Sequence, residues 1–245
     1  MRCLVLAAGY ATRLYPLTEN FPKPLLEIGG RTIVDRLIDD VSSTGMVDSF
    51  AVVTNHRYAE MFESWSSERK GCAVEILDDG TLSNEGRLGA VRDISLSVEK
   101  LGIDDDLLVM AGDNVLDFSL ARFMEYAIEK NSSCIMRYFE PDEKRLRRSG
   151  VVEVAPDDLV IGMQEKPEVP GSCWCCPPFY YFKREDVSKI EEGIASGCGT
   201  DSPGAFVAWL VSKTPIYAME MPGSRYDIGD LASYMKVCNE YKGIL

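Results

Sequence analysis

The chain has 245 residues, 46% hydrophobic and 27% charged, an ordinary globular balance that can bury a sizeable core without disulfide or metal staples. Its formal charge is −13, and nucleic acids and anionic membranes attract basic faces, so neither is expected as a partner. No apolar run reaches the roughly 20 residues of a membrane helix, and the chain starts directly in a strand-like stretch with no separate signal region, so cytoplasm is the expected compartment.

Residues 2–6 (RCLVL) read as a short buried strand. Residues 6–28 are too long and too rich in small residues and prolines for a simple connection. A helix is expected over 32–44, where Ile33, Leu37, Ile38 and Val41 recur at helical spacing. Strand 50–54, helix 58–69, strand 73–77, a polar loop and a helix near 88–101 follow. Strand 106–111, a helix near 120–130 and a strand-like 134–139 continue the series. Such repeats imply a Rossmann-like, doubly wound α/β fold with a mostly parallel central sheet.

After Pro141 the pattern changes. Residues 151–154, 159–163 and 179–182 are strand-like and separated by turn residues, which predicts β-ribbons capping the sheet as an additional β-rich lobe. Helices near 185–195 and 204–212, a strand at 216–221 and a closing helix at 230–242 complete the series. No linker or repeat interrupts it, so one domain over 1–245 is expected, with a core over 1–140 and an appended lobe over 141–245. Of eight cysteines, only Cys173 and Cys176 form a C-x-x-C; with no second ligand pair and a single histidine, His56, they read as buried thiols.

Ligands of open parallel sheets gather outside the carboxyl ends of the strands. The first such loop reads LAAGYATRLYPLTENFPKPLLEI from Leu6 to Ile28. Ala7, Ala8 and Gly9 let a phosphate chain approach backbone N–H groups, while Arg13 and Lys23 form a basic island in an acidic protein. Pro16, Pro22 and Pro24 stiffen the loop. The Walker pattern is absent, and G-x-G-x-x-G is broken because Ala11 and Leu14 follow Gly9 where glycines are required. A second loop, Met110-Ala-Gly-Asp-Asn-Val115, puts Asp113 at a strand end. Taken locally, that carboxylate reads more readily as a helix N-cap or turn residue than as a magnesium ligand.

The two loops together resemble the sugar-phosphate nucleotidyltransferase family, whose signature is L-A-x-G-x-G-T-R-L-x-P-L-T followed by P-K-P; Leu6–Thr18 and Pro22–Pro24 carry the match. The family includes glucose-1-phosphate thymidylyltransferases and uridylyltransferases. The resemblance implies the nucleotide-diphospho-sugar transferase fold and attack of an acceptor phosphate on the α-phosphorus of an NTP, with Mg2+. It implies catalytic roles for Arg13 and Lys23, nucleotide contacts from Leu6, Ala8, Gly9, Ala11 and Thr12, and metal ligation by Asp113 and by Asp227 of Tyr-Asp-Ile-Gly-Asp230. Asn84 and Gly89 stand five apart like the family's base-reading Gln and Gly, so a pyrimidine is expected, although a polar turn before a helix remains an alternative. Acceptor contacts are implied for Glu165 and Lys166 of E-K-P, for Gly150 and for Tyr180.

Four departures stand out. Ala11 replaces a glycine, and its methyl group requires a backbone with φ below zero. Ser149 replaces a tyrosine, Cys176 an asparagine, and Arg225 a tryptophan, the last reaching either an extra anionic group or solvent. The acceptor half is thus altered, which keeps a cytidylyltransferase for phosphocholine, a phosphonate or another small phosphate as an alternative to a sugar 1-phosphate. A regulatory module that only binds nucleotide sugars is the alternative from another class; it would be expected to lose Arg13, Lys23 or a metal aspartate, and all are present. The run Lys144–Arg148 reads as a surface charge cluster. No long C-terminal extension follows, so no acyltransferase domain is expected, and homo-oligomerisation is left open.

Overall fold

The computed structural model describes residues 1–244, and the chain divides into two compact units, each assembled from separate stretches. The first comprises Met1–Arg87, Ala111–Ala121 and the chain from Pro222 onward; the second comprises Leu88–Met110 and Arg122–Met221.

In the first unit, strand Arg2–Leu6 pairs in parallel with Ser49–Thr54, which pairs in parallel with Val74–Asp78, bringing Leu4 beside Ala51 and Val52 beside Ile76. The first two of these are nearly continuous apolar runs, the pattern of strands buried on both faces. Helix Ile33–Ser43 links the first strand to the second. Thr32 caps it by accepting the Asp35 N–H at 3.0 Å, and Ile33, Val34, Leu37, Ile38 and Val41 form its buried face. Helix Ala59–Glu68 makes the next crossover. Two features escape a reading by periodicity: the hairpin of Glu27–Ile28 with Arg31–Thr32, and the antiparallel ribbon of Asn114–Leu116 with Arg225–Asp227, where Asp227 lies opposite Asn114. A cluster of Leu14, Leu26, Ile28, Ile33, Val115, Ile228 and Val237 ties the first loop, the ribbon and the closing helix Leu231–Glu240 together.

The second unit is largely antiparallel. Phe179–Phe182, expected in a capping ribbon, instead pairs with both Leu107–Met110 and Cys134–Ile135. All four of its residues are buried, which suits a central strand and not a solvated ribbon. Ser133–Phe139, expected to extend a parallel series, is parallel only to Ile216–Glu220 and antiparallel to Trp174–Cys176. The ribbon of Gly150–Val154 with Val160–Glu165 does form, with a register shift between Val160 and Gly162. The helix expected over 185–195 is broken into Arg184–Val187 and Ile190–Ala195. Asp186 turns inward at the break, accepting hydrogen bonds from Ser133 Oγ at 2.5 Å and Lys189 Nζ at 2.7 Å. No helix among the described residues is long and apolar enough to cross a membrane.

Candidate active site

The loop after the first strand is held by hydrogen bonds that its own small residues permit. Ala7 N–H donates to the Val53 carbonyl at 2.8 Å, and the buried Asn55 donates to the Ala8 carbonyl at 3.0 Å. Gly9 is exposed, and a Cβ there would meet nothing within 4 Å, so its backbone opens to solvent. Tyr10 is buried and donates to the Thr81 carbonyl at 3.0 Å, fixing the turn after the third parallel strand against this loop.

Ala11 departs from the sequence expectation. Its backbone is left-handed, with φ 46° and ψ 40°, where a φ below zero was required of a methyl-bearing residue. The conformation is over-determined by its surroundings. The Ala11 carbonyl accepts Thr18 Oγ1 at 2.7 Å and Leu14 N–H at 3.0 Å, and Thr18 itself is fully buried. The short turn Thr12–Leu14 follows, with Leu14 anchored in the core and Arg13 exposed. Arg13 Nη1 lies 3.9 Å from where a Cβ on Gly229 would be, and its charge reaches the Asp230 carboxyl. Asp230 caps the closing helix through the Ser233 backbone, and that bond, with Arg13, holds its carboxyl below the usual range.

Lys23 is 6% exposed, on the one-turn helix Lys23–Leu25 set by Pro22 and Pro24. Its Nζ donates to Asp113 Oδ2 at 2.7 Å. Gly112 explains why Asp113 lies so close. Its N–H donates to the Leu6 carbonyl at 2.9 Å, and a Cβ there would meet Val5 Cγ1 at 2.8 Å and Pro24 Cγ at 3.4 Å. Asn114, 2% exposed, donates from Nδ2 to Asp113 Oδ1 at 2.8 Å and accepts from Arg225 Nη1 on Oδ1 at 2.7 Å. Desolvation pushes the Asp113 carboxyl up, but the Lys23 ammonium and the Arg225 guanidinium outweigh it and hold the group below the ordinary carboxylate range.

The first unit thus brings Arg13, Lys23, Asp113 and Asp227 to one region: Lys23 touches Asp113, Asp227 stands opposite Asn114, and Arg13 sits beside Gly229. Arg225, grouped by sequence with the acceptor residues, lies in this same set. Asn114 was not singled out from the sequence; only its place inside Gly-Asp-Asn signalled it. Both aspartates are hard oxygen donors, the Asp113 side chain is 43% exposed despite its two partners, and Asp227 is exposed. Among the described residues, no three His, Cys, Asp or Glu side chains gather as a metal cage. A two-carboxylate site that leaves the remaining positions to water and phosphate oxygens fits Mg2+.

The second unit gathers the residues of E-K-P. Gly150 and Gly204 flank Glu165: a Cβ on Gly150 would lie 3.1 Å from Glu165 Oε2, and one on Gly204 would collide with the same oxygen. Burial pushes the Glu165 carboxyl up, against the opposing pull of Lys166 and Ser202. Lys166 has φ 50°, and its Nζ donates to Ser202 Oγ at 2.6 Å and lies 3.4 Å from Asp201 Oδ2. Asp201 and Ser202 carry no pattern by which the sequence could have announced them. Tyr180 is buried, its ring stacked on Phe182 with centroids 5.8 Å apart. Cys176 is buried near Gly150, at the end of strand Trp174–Cys176, whereas Cys173 lies before that strand and is exposed, so the C-x-x-C is not a pair of buried thiols. Ser149 is half-buried and donates to the Arg145 carbonyl at 3.0 Å. In the basic run, Arg145 pairs with Glu140 and Arg147 with Glu143, a surface cluster as expected.

Asn84 belongs to the first unit, where its carbonyl accepts Arg87 Nη1 at 2.9 Å. Gly89 belongs to the second and opens helix Ala90–Lys100 with φ 91°. A Cβ there would sit 2.5 Å from the Thr200 carbonyl oxygen, and the Ala90 and Val91 N–H groups donate to the Asp201 and Thr200 carbonyls. Packing alone requires glycine at this position.

A family model described as "Nucleotidyl transferase" matches residues 2–243. The chain is 25% identical over 229 residues to the "Bifunctional protein GlmU" of Methanocaldococcus jannaschii, covering 94% of this chain and 51% of that protein. It is 28% identical over 230 residues to the "UTP--glucose-1-phosphate uridylyltransferase AglF" of Haloferax volcanii, covering 94% of this chain and 91% of that one. The chain therefore spans about half the length of the first relative and most of the second. Among solved structures, a "UDP-glucose pyrophosphorylase complexed with UDP-glucose" superposes with a TM-score of 0.82 at 19% identity, covering 98% of this chain and 97% of that one. The fold is the mixed α/β nucleotide-diphospho-sugar transferase fold.

Proposed function

Because the chain belongs to the nucleotidyl transferase family, we propose that it transfers the nucleoside monophosphate of an NTP to a sugar 1-phosphate, releasing pyrophosphate and an NDP-sugar. An oxygen of the acceptor phosphate forms a bond to the α-phosphorus; the bond from that phosphorus to the bridging oxygen breaks, and pyrophosphate leaves with the electron pair. Two anions must meet, so cations and positioning supply most of the barrier lowering. The observation that carries this reading is the Lys23–Asp113 contact of 2.7 Å, with Asp227 on the neighbouring strand and Arg13 beside Gly229.

In this reading Lys23 neutralises the α-phosphate and Arg13 grips the β- and γ-phosphates with its planar fork. The open backbone at Gly9 lets the phosphate chain approach, with Leu6, Ala8, Ala11 and Thr12 around it. Asp113 and Asp227 would hold Mg2+, which when bound offsets phosphate charge and orients the α-phosphate. Asn84 and Gly89 would read the base, taken as a pyrimidine because their spacing matches the base-reading Gln and Gly of the resembled enzymes. Glu165, set between Gly150 and Gly204, would accept hydrogen bonds from sugar hydroxyls, with Lys166 on the acceptor phosphate and Tyr180 behind them.

A second reading, a cytidylyltransferase for a small non-sugar phosphate, is favoured by one observation. Cys176 puts a buried thiol, hydrogen-bonded to the Pro177 carbonyl at 3.4 Å, near Gly150 where the resembled family often has an asparagine. Pyrophosphate release measured with each NTP and dTTP against a panel of sugar and non-sugar phosphates, with Mg2+, separates the readings. Release with a pyrimidine NTP and a sugar 1-phosphate is expected. Turnover only with CTP and a non-sugar phosphate selects the second reading, and none with any pair defeats both. With the active pair, Lys23→Ala is expected to lower kcat by about two to three decades while the circular dichroism spectrum is kept.

A further inference from the structure

Asn114 is an amide buried between a cation and a carboxylate, and its orientation is decided by chemistry. A guanidinium can only donate, so the Asn114 atom 2.7 Å from Arg225 Nη1 must be the carbonyl oxygen. The amide nitrogen is thereby turned to Asp113 Oδ1 at 2.8 Å and to the Ala111 carbonyl at 3.2 Å. Lys23 takes the other carboxylate oxygen, Oδ2, at 2.7 Å. Both oxygens of Asp113 are therefore tethered, one of them through a chain that starts at residue 225.

The ribbon makes this chain possible. Asp227 stands opposite Asn114 and Arg225 opposite Leu116, so alternation sends the side chains of 114, 116, 225 and 227 to one face. Only a long side chain at 225 spans the two residues of diagonal offset to Asn114. A tryptophan, which the resembled family tends to carry there, has a donor on a rigid ring and no charge. This protein has a tether its relatives of that pattern cannot form in the same way.

We propose that Arg225 is a positioning residue that acts through Asn114: it locks the amide with its nitrogen toward Asp113 and so fixes the carboxylate plane that a divalent cation meets. This rests on the functional reading above in so far as Asp113 is a metal ligand. Arg225 is also a cation near that carboxylate, and its two effects have opposite signs. Its charge opposes a divalent ion, whereas its tether presents the ligand. Carboxylate partners outside the coordination shell change metal affinity by about 10–100-fold when lost, so the tether is expected to outweigh the charge.

The test is a double-mutant cycle read by Mn2+ binding to the otherwise unliganded full chain, followed by the electron paramagnetic resonance signal of free Mn2+. Arg225→Met is expected to weaken Mn2+ binding about tenfold when Asn114 is present. In an Asn114→Leu background, the same substitution is expected to leave binding unchanged or tighter, because only the charge effect remains. An equal change in both backgrounds overturns the proposal. A second measurement does not depend on metal: exchange of the Asn114 side-chain amide protons, assigned by nuclear magnetic resonance. Arg225→Met is expected to accelerate it about tenfold or more and Arg225→Lys to restore most of the protection; unchanged exchange in Arg225→Met overturns the lock. If wild type and Asp113→Asn alike fail to bind Mn2+, the metal reading of Asp113 fails, and the exchange measurement still decides the role of Arg225.

Discussion

At Ala11 a methyl group occupies a left-handed backbone, φ 46°, that glycine adopts without strain. Thr18 and Leu14 both bind its carbonyl, so the turn keeps its shape and the residue carries the strain. Ala11→Gly is therefore expected to stabilise the protein by about 1 kcal/mol, read as a rise in Tm of about 2–4 °C. A fall in Tm would mean that the packing of the methyl group against the neighbouring core outweighs the strain. Glu165 presents the opposite case, a carboxyl raised by burial. The fold favours its protonated form, so its contribution to stability is full below about pH 4 and is lost as pH rises through the raised value. Glu165→Gln mimics that form. Its Tm should exceed that of wild type at pH 8, with the difference closing toward pH 4; a constant difference would contradict the assignment. Arg13 and Lys23 stand out in the sequence as a basic island in an acidic chain, whereas Asp113 was singled out only through the family resemblance. The backbone angle at Ala11 and the inward turn of Asn114 were not legible, since neither leaves a trace in residue type.

Among the elements, the strand-to-loop step at Gly112 does most to build the site. With no Cβ it lies against Val5, Leu6 and Pro24, and Asp113 then meets Lys23. Gly112→Ala forces Val5 Cγ1, 2.8 Å away and fully buried, out of its place. A destabilisation of about 1–3 kcal/mol is expected, measured by thermal unfolding, together with a loss of turnover because Asp113 is displaced. Unchanged stability would show that Val5 has room to yield. The helices were legible because their apolar residues recur at 3.6-residue spacing. The ribbon of Asn114–Leu116 with Arg225–Asp227 was not legible as structure: each strand has three residues, too few to show alternation, and about 110 positions separate them. Only a family resemblance placed Asp227 with Asp113.

For the whole molecule, the two units draw on interleaved stretches of chain. The first needs the residues from Pro222 onward, and the second needs Leu88–Met110. Separate fragments 1–140 and 141–245 each lack part of a unit and are expected to show no cooperative thermal unfolding; a sharp transition in either would contradict this division. Residue chemistry and periodicity by themselves determined most of the helices, the parallel strands of the first unit and the basic island of Arg13 and Lys23, because these depend on residue type and on spacing within a few positions. Tertiary structure alone decided that Phe179–Phe182 is a central strand, that Arg225 reaches Asn114, and that Glu165 fits between Gly150 and Gly204. Those outcomes depend on which distant backbones come to lie within a few ångströms, and no local pattern encodes such a distance.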